Sequence, residues 1–287
     1  MYLEMKKLVI LLALALITVI ASAQAQINTK KVKIGDFTQK TTKVVLTGNI
    51  FYDSTLEDEI VARWKASPYE FCSLEEFERL KHSEDYYFLL STKGQFKKET
   101  EPGLQFLTLV KGGSKAENGI SEMLEIVSLP IASADDPSGR ETAFYPAFLD
   151  IIQTFALDSM EKDSHAYTGL SNYSMNLSET KDMTIIFCES DLNKEITDEQ
   201  KALLMDEKMI VTDEDEADGH MSENSPNVAV SYVACATKAS EGSYCYKMLI
   251  DNHSHRLYYF RRHKISKKLG AGFLIEDMKR ISSYRTK

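Results

Sequence analysis

The sequence predicts an α/β protein of the mixed α+β kind, built as two tandem repeats of a β-sheet with helices packed on it. Three observations support this class. One order of elements (strand, helix, strand, helix, three strands, helix) can be traced through residues 28–162 and again through residues 182–287. Similar helix-start motifs recur at matching points of the two repeats. The composition, 43% hydrophobic and 27% charged, is typical of a globular protein.

The N-terminus has the pattern of a cleaved signal peptide, assigned to residues 1–23. Lys6 and Lys7 precede an apolar run, which is followed by small residues suited to cleavage at Ala23, with a second possible site at Ala25. The run is too short for a good membrane span, and no later stretch approaches spanning length. We therefore expect an exported protein, periplasmic or secreted, without a transmembrane segment in the mature chain.

The first repeat opens with a β-branched strand at residues 44–48 and a helix. Ser54 and Glu57 have the spacing of a capping box, so the helix is expected to begin at Ser54. Its buried stripe should consist of Leu56, Ile60 and Trp64.

The rest of the first repeat contains a second capping box, at Ser73 and Glu76, which opens a small helix with Leu74, Phe77 and Leu80 turned inward. Strands are expected at residues 69–72, 86–92, 104–110 and 122–131. A closing helix is expected at residues 143–160, with Pro146 in its first turn.

The second repeat follows the same order after a polar boundary at residues 165–181. Thr197 and Gln200 form its clearest capping box. Residues 214–225 are acidic and turn-like at the point where the repeat calls for a helix. Strands are expected at residues 183–188, 208–211 and 227–236, and a hairpin with a closing helix at residues 246–281.

This order resembles the amino-terminal domain of TolB-type periplasmic proteins and related envelope lipoproteins. The corresponding stretches are residues 69–73, 73–80, 86–92 and 249–257. The chain departs from the family pattern in lacking a propeller domain and the turn glycine. The resemblance implies an envelope binding or assembly module, and it carries over no catalytic residue.

The net charge and the cysteine spacing argue against two classes of function, nucleic-acid binding and C-x-x-C metal or redox sites. The net charge of −9 argues against general nucleic-acid binding. The four cysteines, Cys72, Cys188, Cys235 and Cys245, form no C-x-x-C motif. Cys235 and Cys245 flank a hairpin turn and either face each other as a disulfide or remain reduced. No cofactor is predicted.

Two segments have residue types that bind metals, but neither predicts a metal site. His253 and His255 lie two apart in a polar turn, where Asp and Asn are favoured for turn geometry. Residues 213–219 are partly spaced like a calcium loop, but Ser225 stands where the bidentate glutamate belongs. An acidic surface loop is the preferred interpretation.

The remaining functional signal is a change of charge within the second repeat. Residues 189–223 have a net charge of −10, and residues 246–287 a net charge of +8. The basic residues predict a face for an envelope protein or an anionic glycan, unless the two segments neutralise each other. This predicted basic face consists of Arg256, Arg261, Arg262, Lys264, Lys267 and Lys268.

No catalytic residue is predicted, because no serine lies in a G-x-S-x-G motif and no cysteine has a nucleophile context. The leading hypothesis is an exported, non-catalytic binding or scaffolding module of the bacterial cell envelope. The alternative is a hydrolase or a small-ligand-binding protein with a site between the two halves.

Overall fold

The computed structural model describes residues 34–161 and 168–285. The predicted signal peptide lies outside these residues. Within them, no helix combines the length and the apolar character needed to cross a membrane.

The first half is a five-stranded sheet with three helices. Its strands are β1 (Thr41–Val45), β2 (Tyr69–Cys72), β3 (Tyr86–Gly94), β4 (Leu104–Lys111) and β5 (Leu124–Ser133). Its helices are α1 (Ile50–Arg63), α2 (Leu74–Leu80) and α3 (Glu141–Glu161). The strand order is β2-β1-β3-β4-β5, with β1 parallel to β2 and β3 and the two following pairs antiparallel.

The second half repeats this topology after a 3-10 segment, Gly169–Asp182. Its strands are β6 (Thr184–Cys188), β7 (Met209–Thr212), β8 (Val228–Cys235), β9 (Tyr244–Asp251) and β10 (Leu257–Lys264). Its helices are α4 (Asp198–Leu204), α5 (Glu214–Ser222) and α6 (Ile275–Arg285). The order β7-β6-β8-β9-β10 and its strand directions match those of the first half. The predicted class, two repeats of a mixed sheet with packed helices, is confirmed.

The capping boxes are only partly as predicted. Thr197 and Gln200 form the full reciprocal box at α4. Ser73 caps α2 by accepting from the backbone N–H of Glu76 at 3.1 Å, but the Glu76 carboxylate instead pairs with Lys43 at 3.2 Å. A buried Lys43 ammonium needs a counter-charge. The Glu76 carboxylate therefore pairs with Lys43 and does not accept from the backbone N–H of Ser73, as a full capping box would require.

The predicted start of α1 is wrong, because the helix begins at Ile50 and Ser54 lies inside it. The backbone N–H of Asp53 already donates to the Asn49 carbonyl at 2.8 Å, so the helix has closed its first turn before Ser54. The predicted stripe of this helix is buried. Helix α3 also begins early, at Glu141, which places Pro146 in its second turn rather than its first. In α2, Leu74 is 57% exposed instead of turned inward.

Residues 214–222 form helix α5 instead of the predicted acidic turn. Asp213 caps the helix by accepting from the backbone N–H of Glu216 at 2.9 Å. Acidic residues in a first turn favour the positive end of the helix dipole, and Ala217 and Met221 are buried one turn apart. The acidity that suggested a loop therefore belongs to the start of a helix.

One hydrophobic cluster extends through both halves. Helix α3 contributes Phe144, Phe148 and Phe155, which are buried together with residues of both sheets. Tyr232 of β8 packs against Phe144 and Phe148 with ring centroids 4.5 and 5.2 Å apart. Smaller clusters lie beneath α2 in the first half and α6 in the second. Because α3 packs against both sheets, it sets the position of one half relative to the other.

Candidate functional site

A cleft of about 520 Å³ lies where α3 of the first half meets the 3-10 segment and the β9–β10 turn of the second. We call it the inter-half cleft. Its lining combines amides, hydroxyls and charged groups with a few apolar side chains: Ile151, Thr154, Asp158, Asn172, Tyr173, Met175, Asn176, Ser254, His255, Arg256 and Leu257. Both halves are needed to form it.

The β9–β10 turn is organised by Asp251. Its carboxylate Oδ1 accepts from the backbone N–H groups of His253 at 2.9 Å and Ser254 at 2.7 Å. Its carbonyl accepts from the backbone N–H of His255 at 3.0 Å. His255 has a φ of +56°, a left-handed conformation in which histidine is enriched among non-glycine residues. The turn thereby directs His255 toward α3.

His255 contacts the first half through Asp150. Its Nδ1 lies 2.6 Å from Oδ2 of Asp150, where an N–H on that nitrogen donates to the carboxylate. Asp150 also accepts from Gln153 at 3.2 Å and lies 3.4 Å from the Arg63 guanidinium. The carboxylate fixes the orientation of the imidazole through Nδ1.

Arg256 lies at the cleft in a two-armed ion pair with Glu179. Its Nη1 donates to one carboxylate oxygen, and its Nη2 donates to the other at 3.0 Å. The hydrogen bonds to Glu179 raise the pKa of Arg256, so the guanidinium stays charged. The same guanidinium lies 5.5 Å from the centre of the Tyr258 ring. These contacts hold Arg256 in place.

Tyr173 and Asp158 form a third polar contact at the cleft. The Tyr173 hydroxyl donates to Oδ2 of Asp158 at 2.6 Å. Burial, together with this bond to a carboxylate, raises the pKa of Tyr173 above its usual range. The phenol therefore stays neutral and donates, and the carboxylate keeps a fixed direction.

The chemistry of the cleft follows from these three contacts. Each charged group in these contacts has a partner within the protein, so the side chains of the three contacts have fixed orientations before a ligand binds. Amide and carboxylate side chains suit paired hydrogen bonds to neighbouring hydroxyls. The described residues contain no group of three or more His, Cys, Asp or Glu side chains placed to hold a metal ion.

The six residues of the predicted basic face lie in four places. Arg256 belongs to the cleft. Arg262 and Lys264 share a face of β10, over the Tyr244 ring at 4.8 and 5.2 Å. Arg261 points to the opposite face, and Lys267 and Lys268 are exposed in the following turn. We call Arg261, Arg262, Lys264, Lys267 and Lys268 the basic strip.

The two histidines of the β9–β10 turn have separate partners. Nδ1 of His253 lies 2.8 Å from Oδ1 of Asn224, while His255 pairs with Asp150. They are turn residues, as the sequence suggests, with an added role for His255 at the cleft. Asp150 was missed because its partner lies far away in the sequence, and a helix position alone gives no signal of it.

The acidic segment 189–223 is partly neutralised by two distant arginines. Arg285 of α6 donates to Asp206 at 2.7 and 3.1 Å. Arg140, from the first half, donates to Asp191 and Asp218, each at 2.9 Å. The arginines that neutralise part of the acidic segment therefore come from α6 and from the first half. None of the residues of the basic strip takes part in these pairs.

Searches against protein-family models, curated proteins and solved structures found no match to this chain.

Proposed function

We propose that the chain is an exported, non-catalytic binding module of the bacterial cell envelope, with its ligand in the inter-half cleft. The observation that carries the proposal is a cleft of about 520 Å³ built from both halves. Small-ligand sites commonly have volumes of ~300–1,000 Å³ and favour the boundaries between structural units. Export rests on residues 1–23, and the envelope setting on the resemblance to TolB-type domains.

The lining favours a neutral, hydroxyl-rich ligand such as an oligosaccharide. Asn172 and Asn176 contribute side-chain amides to the lining, and Asp158 contributes a carboxylate. The positive charge of Arg256 is offset by Glu179, so the cleft does not select for an anion. An anionic envelope partner would instead use the basic strip.

The test fills the cleft without altering its charges. Thr154 is exposed on α3 and lines the cleft, so Thr154→Trp should block entry and weaken binding at least about tenfold. Binding is measured by calorimetry with soluble, uncharged envelope oligosaccharides. Leu203→Trp is the matched control, because Leu203 is 82% exposed on α4 and outside the cleft.

Unaltered binding by Thr154→Trp, or no binding of any envelope oligosaccharide by the natural sequence, would overturn the proposal. Repeating the titration at high salt separates the two surfaces. Binding of a neutral ligand in the cleft should persist, whereas attraction of an anion to the exposed basic strip is screened.

The Asp150–His255 pair supports hydrolysis as a second candidate function. A carboxylate-oriented imidazole is the arrangement by which a general base activates water or a hydroxyl. The neighbouring Ser254 hydroxyl accepts from the backbone N–H of Arg256 at 3.4 Å, within its own turn. If mass spectrometry shows cleavage of a bound oligosaccharide that His255→Gln abolishes, the hydrolase replaces the binding module.

A further inference from the structure

Cys235 and Cys245 are directly opposite each other in the antiparallel pair β8–β9. In the same ladder, the backbone N–H of Asn252 donates to the carbonyl of Val228, which makes that pair hydrogen-bonded. Hydrogen-bonded and non-hydrogen-bonded pairs alternate, so Cys235 and Cys245 form a non-hydrogen-bonded pair. Side chains are closest in such pairs, with Cα atoms about 4.5 Å apart, inside the range that a disulfide spans.

Both cysteines are free thiols, and they differ in exposure. The backbone N–H of Gly272 donates to Sγ of Cys245 at 3.2 Å. Cys245 is fully buried, whereas Cys235 is partly exposed at the end of its strand. A molecule from solvent therefore reaches Cys235 first.

The other two cysteines lack this arrangement. Cys72 is buried beneath α2 in the first half. Cys188 is buried in the second half, with its sulfur 3.0 Å from the Ser190 hydroxyl. His263 is opposite Cys245 in the next strand, where its Nε2 is 2.8 Å from the Gly270 carbonyl. The imidazole of His263 is therefore hydrogen-bonded to a backbone carbonyl through Nε2.

We propose that Cys235 and Cys245 are a redox-active dithiol that closes into a cross-strand disulfide by exchange with a disulfide-bearing oxidant. The Cys235 thiol loses its proton to solvent, its sulfur attacks one sulfur of the incoming disulfide, and the first thiolate leaves and takes up a proton. The Cys245 thiol then loses its own proton, attacks the Cys235 sulfur and expels the second thiolate, which is protonated in turn. Two protein thiols are oxidised, and one external disulfide is reduced to two thiols, each taking one proton.

The surroundings of Cys245 support the second step. The adjacent Cys235 thiol and the Gly272 N–H lower the pKa of Cys245, whereas the adjacent Cys245 thiol and burial raise the pKa of Cys235. The Gly272 N–H can donate to a thiolate on Cys245, which favours attack by Cys245 on a mixed disulfide at Cys235. Export, as predicted from residues 1–23, would bring the pair to a compartment where disulfide oxidants occur.

The experiment treats the folded, reduced protein with oxidised glutathione and counts remaining thiols by alkylation and mass spectrometry. We expect loss of two of the four thiols, restored by dithiothreitol, and a disulfide joining the two peptides that trypsin separates at Lys238. The Cys72→Ser/Cys188→Ser variant should react like the natural sequence. The melting temperature of the oxidised form should rise by roughly 5 °C, because the bond closes the hairpin loop.

Two single variants test the order of the steps. Cys245→Ser should accumulate a stable glutathione adduct on Cys235, because nothing resolves it. Cys235→Ser should react at least about tenfold more slowly, because Cys245 is buried. Retention of all four thiols by the folded protein, or equal reactivity of the two variants, would refute the dithiol. Neither result depends on ligand binding in the cleft, so the two proposals can fail separately.

Discussion

The side chain of Arg140 extends from the first half of the molecule into the second. It donates to Asp191 and Asp218, and it lies 5.6 and 5.5 Å from the ring centres of Phe144 and Tyr232. Asp191 is buried and accepts a second bond from the Ser231 hydroxyl at 2.6 Å. Burial raises the pKa of Asp191, while the positive charge of Arg140 acts in the opposite direction. The charge of Arg140 thus offsets part of the cost of burying this carboxylate.

Replacing Arg140 with methionine should be strongly destabilising. The substitution keeps much of the volume but leaves Asp191 buried without its counter-charge, and removing one partner of a buried pair costs about 3–5 kcal/mol. We expect a loss of about 3 kcal/mol in the free energy of unfolding, measured by urea denaturation. The matched control is Arg256→Met, whose pair with Glu179 is half-exposed and should contribute under about 1 kcal/mol. Equal losses in the two variants would contradict the assigned role of Arg140.

Sequence patterns did not reveal Arg140 or Asp150. Arg140 lies between the strand predicted at residues 122–131 and the helix predicted at residues 143–160, and its partners Asp191 and Asp218 belong to the other half of the chain. The periodicity of hydrophobic residues indicates which side chains share a face of one strand or helix. It does not indicate which side chains come into contact when two sheets pack on one helix. The basic residues were visible as a charge excess, yet their division between the cleft and the basic strip depends on strand direction.

At the level of elements, the order of strands and helices could be predicted, because hydrophobic spacing is local. Boundaries were less predictable where one polar residue competes with another for a cap. In α5, Asp213 takes the cap position, although Thr212 has the same spacing to Asp215. The buried pair Ala217 and Met221 was the available signal for a helix, but Gly219 between them weakens it.

The cap of α5 can be tested with two substitutions at Asp213. Asp213→Ala removes the acceptor for the Glu216 N–H and should cost about 1 kcal/mol of unfolding free energy. Asp213→Asn keeps an acceptor oxygen and should cost only a fraction of that amount. Both values come from urea denaturation followed by circular dichroism. If the alanine variant were as stable as the asparagine variant, the cap would contribute nothing.

On the scale of the whole molecule, the duplicated topology does not produce two separate cores. The main hydrophobic cluster includes α3, the first sheet and the facing side of the second sheet. The Tyr232 hydroxyl donates to the carbonyl of Ile131 in β5, and the backbone N–H of Thr237 donates to the Ser133 hydroxyl at 3.1 Å. We therefore expect the halves to unfold as one cooperative unit.

Trp64 gives a direct measurement of this coupling, since it is the single tryptophan and lies buried in the first half. Tyr232 belongs to β8 of the second half, and Tyr232→Ala removes its packing on Phe144 and Phe148 of the first half, which should cost about 3 kcal/mol or more. If the halves are coupled, the urea midpoint of Trp64 fluorescence should fall together with that of the circular dichroism signal. Tyr232→Phe removes only the hydroxyl and should lower the free energy of unfolding by about 1 kcal/mol, so both midpoints should fall by a smaller amount. A fluorescence midpoint that stays in place while the dichroism midpoint falls would mean that the first half unfolds independently. In that case α3 would be stabilised mainly by the first sheet, and the inter-half cleft would lie between two separately stable units.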